Sequence, residues 1–433
     1  MFATQRIAIS LEAGLDATAF LFLPLLVLLP RGIAPLVSIS GALALALVLP
    51  NVRTGFRELL RPAGLFMALL IWGTLSAAWS VDPAHSLLVS VHLGGLFAAG
   101  LALMAAAEVL VSPRRLLLCL YGGWGVGLLL ASVQFASGGV LTRHFLAHGF
   151  FASQLNQAAD ALAILVLPAS VTFICRGRAG LGLALALVTL TLICDLVGTA
   201  AKAALCAGFV FAGALYFSPR NVARAAAILS VLTILTAPLT FARVARLPAV
   251  AEAAEAIKFS AWHRLMIWSF AGDRIAEQPL IGWGLDSSRA IPGGSEPIYQ
   301  GRVWMPLHPH NAAIQVWLEL GAPGAVLFAL IIARLWFGLA AASWPRLFAA
   351  AAGASLVTGS IAAIGTYGIW QEWWIGTLWF SLFLTLVMAR CLPAQTPRPT
   401  HLGSPVQKVA ACASGAADDS ALGHLSLPEL PGR

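Results

Sequence analysis

Apolar runs recur along almost the whole chain, each long enough to cross a hydrocarbon core of about 30 Å as a helix. Hydropathy places about twelve spans, near residues 15–30, 33–50, 63–79, 86–107, 116–136, 157–175, 179–196, 200–217, 223–241, 312–333, 347–366 and 374–391. Pro24, Pro30, Pro50 and Pro168 kink or end helices at these boundaries, and only Asp195 to Lys202 separates the seventh run from the eighth. The expected fold is all-α, a polytopic membrane protein of about twelve transmembrane helices. Only 10% of the 433 residues are charged, where soluble domains run nearer about a quarter, so a water-soluble globular enzyme of this length is excluded. The formal charge of +8 does not point to nucleic acid, because the basic residues sit singly between apolar runs. Met1 to Asp16 carries little charge, so the first run reads as a retained span, not a cleaved signal peptide. No cysteine pair has metal-ligand spacing, and neither a zinc site nor a disulfide framework is implied.

Charge sets the expected orientation. With the N-terminus inside, the short inner connections hold Arg53, Arg57, Arg61, Arg114, Arg115, Arg176, Arg178, Arg220, Arg224, Arg334 and Arg346, eleven against Arg31, Arg143 and Lys202 outside. The positive-inside rule then puts both ends in the cytoplasm. Residues 1–241 would form the first nine spans, 242–310 one large outer loop, 311–391 the last three spans, and 392–433 a disordered tail rich in Pro, Ala, Ser and Gly. The loop is too polar to span and too patterned for a linker. Within it, Ser260 to Glu277 reads as an amphipathic helix against the membrane, with Trp262, Leu265, Met266, Trp268, Ser269 and Ile275 spaced among polar positions.

Candidate chemistry gathers at the outer face. After His308-Pro309-His310 a span begins on which Asn311, Gln315 and Glu319 fall at i, i+4 and i+8, one face of a helix. Such a stripe is costly against lipid and belongs in the protein interior or a wet cavity. His310 at its head can take a proton from a hydroxyl nucleophile; equally, His310 and Asn311 can cap the helix while the stripe joins neighbours. Two histidines without a third ligand do not make a metal site. Arg264 on the loop helix and Lys202 after Thr199 are cations on the same side, suited to a departing pyrophosphate. The plain alternatives are a salt bridge from Arg264 to Asp273 or Glu277, and snorkelling of Lys202 or its pairing with Asp195. Arg289 and Arg302 are weaker candidates. Between Tyr367 and Trp374, Gln371, Glu372 and Trp373 offer hydroxyl-binding groups and a ring for sugar stacking, or simply an interface anchor. Asn156 opens a span and is most simply a cap.

The pair His310-Asn311, followed after nine residues by Gly321-Ala-Pro-Gly324, resembles the signature of the bacterial O-antigen ligase and polymerase superfamily. The likeness extends in order through Trp79-Ser-Val-Asp-Pro83, Asn156, His263-Arg264 with Pro279-Leu-Ile-Gly282, and Tyr367–Trp374, over most of residues 60–390. It implies an all-helical GT-C type of fold and a metal-independent, cofactor-free glycosyltransferase. The implied reaction moves a glycan from undecaprenyl pyrophosphate to a hydroxyl of lipid A–core, or of a growing glycan, at the periplasmic face of the inner membrane. It implies His310 as the family histidine, Arg264 as the loop arginine, and Lys202 where the family commonly has arginine; Asn311, Arg289, Glu372, Gln371 and Trp373 would bind substrate. Lysine keeps the charge but loses the bidentate fork. An O-antigen ligase is the expectation, and a repeat-unit or exopolysaccharide polymerase shares the same signature, as does protein glycosylation. A polysaccharide transporter is the alternative from another class, but the charges cluster outside instead of along a midplane path.

Overall fold

The computed structural model describes residues 2–49, 52–145 and 149–393, without side chains for 2–6, 52–62 and 145; the expected tail lies almost wholly outside the described residues. In chain order the helices are α1 (Phe2–Leu28), α2 (Ile33–Val48), α3 (Val52–Leu75), α4 (Pro83–Val109), α5 (Pro113–Ala136), α6 (Val140–Phe145), α7 (Asn156–Cys175) and α8 (Ala179–Asp195). They continue with α9 (Thr199–Phe217), α10 (Pro219–Leu235), α11 (Ala237–Ala245), α12 (Pro248–Ile257), α13 (Phe259–Glu277), α14 (Ala312–Ala341), α15 (Arg346–Gly365) and α16 (Glu372–Arg390). Among the described residues there is no strand, only an isolated bridge between Pro297 and Val303 in the loop. The protein is an all-helical, multi-pass membrane protein.

Eleven of the twelve expected spans fall on single helices and the one near 223–241 on the bent pair α10 and α11, and the helices are not equivalent. Among the described residues nine are long and apolar enough to cross a membrane, and α10 with α11 makes a tenth only as a pair bent by 66°. The apolar stretches Ala63–Ala78 and Ala179–Asp195 are shorter; at 1.5 Å per residue each is about 25 Å long, less than the hydrocarbon core. Asp195 ends α8 and Gly198 precedes α9, so the narrow separation is a true break.

Packing is tightest between α9 and α15, α1 and α5, α10 and α14, and α2 and α4, with α7 enclosed between α8 and α15. Small residues permit this: a Cβ on Gly123 would overlap the Phe20 carbonyl, and one on Gly41 would overlap Ala99. Lipid offers no hydrophobic gain over another helix, so such close backbone approach is what joins spans. At the start of α5, Arg115 Nε donates to Asp16 at 2.5 Å, and the Glu12 carboxylate accepts the Val111 and Ser112 amides just ahead of it.

The long loop between α11 and α14 is held by a broken helix. Gly321 in α14 has φ +62 and ψ −161, and Pro323 two residues on has no amide hydrogen, so helical bonds to residues 318–320 are lost. Other segments supply the donors. Trp283 N–H reaches the Leu318 carbonyl (3.0 Å), Gly284 N–H that of Glu319 (2.8 Å), and Trp72 Nε1 that of Leu320 (2.8 Å). The Ala322 amide turns to Pro279 O at 2.9 Å. Gly282, at φ +68, lies so close that a Cβ would strike the Glu319 backbone. The Pro279–Gly284 loop and the Gly321–Gly324 kink are thus two halves of one joint.

α13 runs from Phe259, one residue before the expected start, and buries Leu265, Ile267, Ala271 and Ile275. That face rests on α11, α12 and α14, where the sequence suggested contact with the membrane surface. Its polar side is tied by Arg246, which bonds Asp273 at 2.5 Å, while Arg274 pairs with Glu277 at 2.7 Å.

Candidate active site

The His308–His310 turn sits where the long loop enters α14. Trp268 Nε1 on α13 donates to the Pro309 carbonyl at 2.9 Å, and His310 N–H points to His308 Nδ1 at 3.2 Å. His310 itself has φ +54, the left-handed region that a side chain occupies only when its surroundings impose it. Its Nδ1 lies 2.7 Å from the Thr366 carbonyl. A carbonyl accepts only, so Nδ1 carries the hydrogen and Nε2 of the neutral ring is left with its lone pair. Burial pushes the His310 pKa down, with Arg264 and His263 in the same direction and the Thr366 bond opposing. The ring is therefore neutral near pH 7, as a proton acceptor requires. His308 is buried more deeply and is lowered to about 3, by burial first and then by His310, Arg289 and Arg264. It is a permanently neutral support, with the Gln371 amide 3.2 Å from its Nε2.

The helical stripe below His310 is fully enclosed. Asn311 caps α14, its Oδ1 accepting the Ile314 amide at 3.1 Å. Gln315 accepts Ile369 N–H at 2.9 Å and donates to Glu319 at 3.1 Å. Glu319 also accepts the Asp286 amide (2.8 Å), the Ser288 hydroxyl and amide, and Trp370 Nε1 (2.5 Å). Every oxygen of that carboxylate is engaged, so it joins α14 to the long loop and to the segment before α16.

Beside His310 opens a cleft of about 510 Å³, mouth included, lined by Ser153, Asn156, Asp160, residues 197–201, Lys258, Ser260, Arg264 and Thr366. Three helices begin at its wall: α7 at Asn156, α9 at Thr199 and α13 at Phe259. None has a side-chain cap. The free first-turn amides of α9 and α13 favour an anion there, whereas the Asn156 amide that opens α7 is already bonded to the Ser153 carbonyl. Arg264 adds its guanidinium; among the described residues it forms no ion pair. Burial lowers its pKa, partly offset by Tyr367.

The remaining candidates lie apart from this wall. Lys202 Nζ donates to the Cys194 carbonyl at 2.6 Å, neither paired with Asp195 nor facing the cleft. Lys258 lines the cleft instead, with no motif or spacing to set it above the other loop cations. Arg289 bonds Asp286 at 3.1 Å, whose same oxygen lies 2.8 Å from His85 Nε2. Glu372 lies 2.5 Å from His92 Nδ1, and Gln371 Oε1 accepts from Trp373 Nε1 at 3.2 Å. Trp373 stands edge-on to Tyr367, with ring centroids 4.6 Å apart. Asp160 and Thr366 were missed. A carboxylate inside an apolar run, one turn beyond Asn156, was the available signal.

Residues 183–329, from α8 through the loop to the kink of α14, match the family model described as O-antigen ligase. A candidate polysaccharide ligase of Rickettsia conorii is 28% identical over 337 residues, covering 76% of this chain and 80% of that protein. A protein of the same description from Rickettsia felis is 27% identical over 398 residues, covering 88% of this chain and 95% of its own. The match therefore runs through the spans as well as the loop. Over residues 183–329 this multi-pass membrane protein is similar to the O-antigen ligase family, and over most of its length to the two Rickettsia proteins.

Proposed function

We propose that this protein is an O-antigen ligase, transferring a glycan from undecaprenyl pyrophosphate to a hydroxyl of lipid A–core at the periplasmic face of the inner membrane. The observation that carries the proposal is the bond from His310 Nδ1–H to the Thr366 carbonyl, which leaves Nε2 as a neutral acceptor beside a cationic cleft. The acceptor hydroxyl loses its proton to His310 Nε2 as its oxygen attacks the anomeric carbon. The bond from that carbon to the pyrophosphate breaks, and the electron pair leaves with the phosphate oxygen. Arg264, Lys258 and the open N-termini of α9 and α13 balance the charge that develops there. Direct displacement inverts the anomeric centre, and fixed protein cations take the part a metal would otherwise play. Lys202, held on the Cys194 carbonyl, steadies the turn between α8 and α9 in this scheme.

The test is the lipopolysaccharide profile of a deletion strain complemented with wild type or His310→Ala at equal protein levels. Wild type restores polymer on lipid A–core, and His310→Ala leaves lipid-linked polymer accumulating. Core bearing a single repeat would assign a polymerase, and an unchanged profile in the deletion would overturn the proposal.

A further inference from the structure

The cleft beside His310 has two chemically different ends. Arg264, Lys258 and the helix N-termini can only donate hydrogen bonds or positive charge. At the other end, on α7 and on the segment after α15, acceptors are on offer: the Asp160 carboxylate and the Asn156 amide oxygen accept, and the Thr366 hydroxyl can accept or donate. Asp160 is 2% exposed, and its Oδ2 accepts the Tyr367 hydroxyl at 2.6 Å. Its Oδ1 is buried without a partner among the described residues, and so are Asn156 Oδ1 and Thr366 Oγ1. All three residues line the same cleft. Buried acceptors left open are rare, since each costs desolvation that only a donor returns.

The backbone keeps this end clear. Gly198 faces Asn156, and a Cβ there would lie 2.9 Å from Asn156 Oδ1. A side chain at 198 would push the amide into the space the three oxygens border. A phosphate near neutral pH has almost no proton to give these oxygens, and a carboxylate repels it. A saccharide hydroxyl has one to give, and two neighbouring hydroxyls can meet Asp160 and Asn156 together.

From this juxtaposition we infer that Asp160, Asn156 and Thr366 form a hydroxyl-binding subsite for the first sugar of the lipid-linked donor, next to the arginine that holds its pyrophosphate. The inference rests on the transferase proposal and adds the residues that recognise sugar as distinct from phosphate. The sugar is placed on the donor because it is bonded to the pyrophosphate, and the two ends belong to one cleft. Asp160 binds substrate directly here; Tyr367 orients its carboxylate.

The experiment uses full-length protein in nanodiscs and two probes: lipid-linked glycan purified from the deletion strain, and undecaprenyl pyrophosphate itself. Wild type is expected to bind the glycan-bearing lipid at least about 10-fold tighter, the worth of one or two hydrogen bonds to a charged group. Asp160→Asn and Asn156→Ala remove most of that preference and leave affinity for undecaprenyl pyrophosphate unchanged, while Arg264→Ala weakens both probes. Tyr367→Phe retains most of the preference. Equal losses for both probes in Asp160→Asn, or an intact preference, would overturn the subsite. So would Tyr367→Phe reproducing Asp160→Asn, because Asp160 would then act only through the tyrosine. A rise confined to the KM for lipid A–core would move the sugar to the acceptor and overturn the assignment made here. Failure of wild type to bind either lipid defeats the transferase proposal itself, a result distinct from any of these.

Discussion

Glu319 and Asp160 are both carboxylates on apolar helices, both enclosed, and both toward the N-terminal ends of those helices. Glu319 accepts from Ser288, Gln315, Asp286 and Trp370, which leaves neither oxygen open. Asp160 gives one oxygen to Tyr367 and leaves the other without a partner among the described residues. The difference separates two uses of an expensive group. A saturated buried carboxylate joins elements, since everything it can offer is already taken. One with an open oxygen at a cleft wall keeps that capacity for a ligand.

The largest effect should come from the saturated one. Glu319→Ala strands several donors at once, and we expect a loss of about 3–5 kcal/mol. It should show as a collapse in monodisperse yield and thermal midpoint after detergent extraction. Asp160→Asn ought to be extracted normally; equal behaviour of the two variants would erase the contrast between them.

Next in size is His310→Ala, with transfer reduced about 10²- to 10⁴-fold at unchanged protein levels. Because His310 holds φ +54, alanine also strains the turn by about 1–2 kcal/mol. His310→Gly should therefore unfold at a higher temperature than His310→Ala while being equally inactive. A glycine variant that kept activity would remove the imidazole from the mechanism.

A smaller and more specific effect concerns pH. The base works when neutral, so the rate falls on the acid side as His310 is protonated. Burial, with Arg264 acting alongside it, holds that limb below the usual imidazole value. Removing a positive charge favours the imidazolium, so residual activity in Arg264→Met should show its acid limb moved to higher pH. A limb that stayed in place or moved the other way would mean that the titrating group is not His310.

The smallest difference lies between two lysines. Lys202→Met should change transfer by no more than about fivefold, the scale of a partly exposed charge, and Lys258→Met by more. The reverse order would return Lys202 to the pyrophosphate.

Periodicity alone indicated where the helices lie, because lipid enforces long apolar runs and polar breaks. It also indicated that His310, Asn311, Gln315 and Glu319 stand together at the head of one span. Spacing along a single helix is a local property and needs no knowledge of the fold. The stripe's purpose was not legible in the same way. Glu319 read as facing a wet cavity or as joining neighbouring helices until Ser288, Asp286 and Trp370 were found around it, each from a distant part of the chain.

By itself, then, the sequence determined the all-helical membrane architecture and the special character of the loop, since each follows from hydropathy within a few residues; the break at Gly321 and Pro323, inside a span read as continuous, came only with the structure. Tertiary structure decided which cation faces the cleft, which ring nitrogen of His310 stays open, and which buried carboxylate is left unsaturated. Those depend on hydrogen bonds between segments far apart in the chain, such as Thr366 to His310 and Tyr367 to Asp160. A linear pattern carries no record of such partners until folding brings them within about 3 Å of each other.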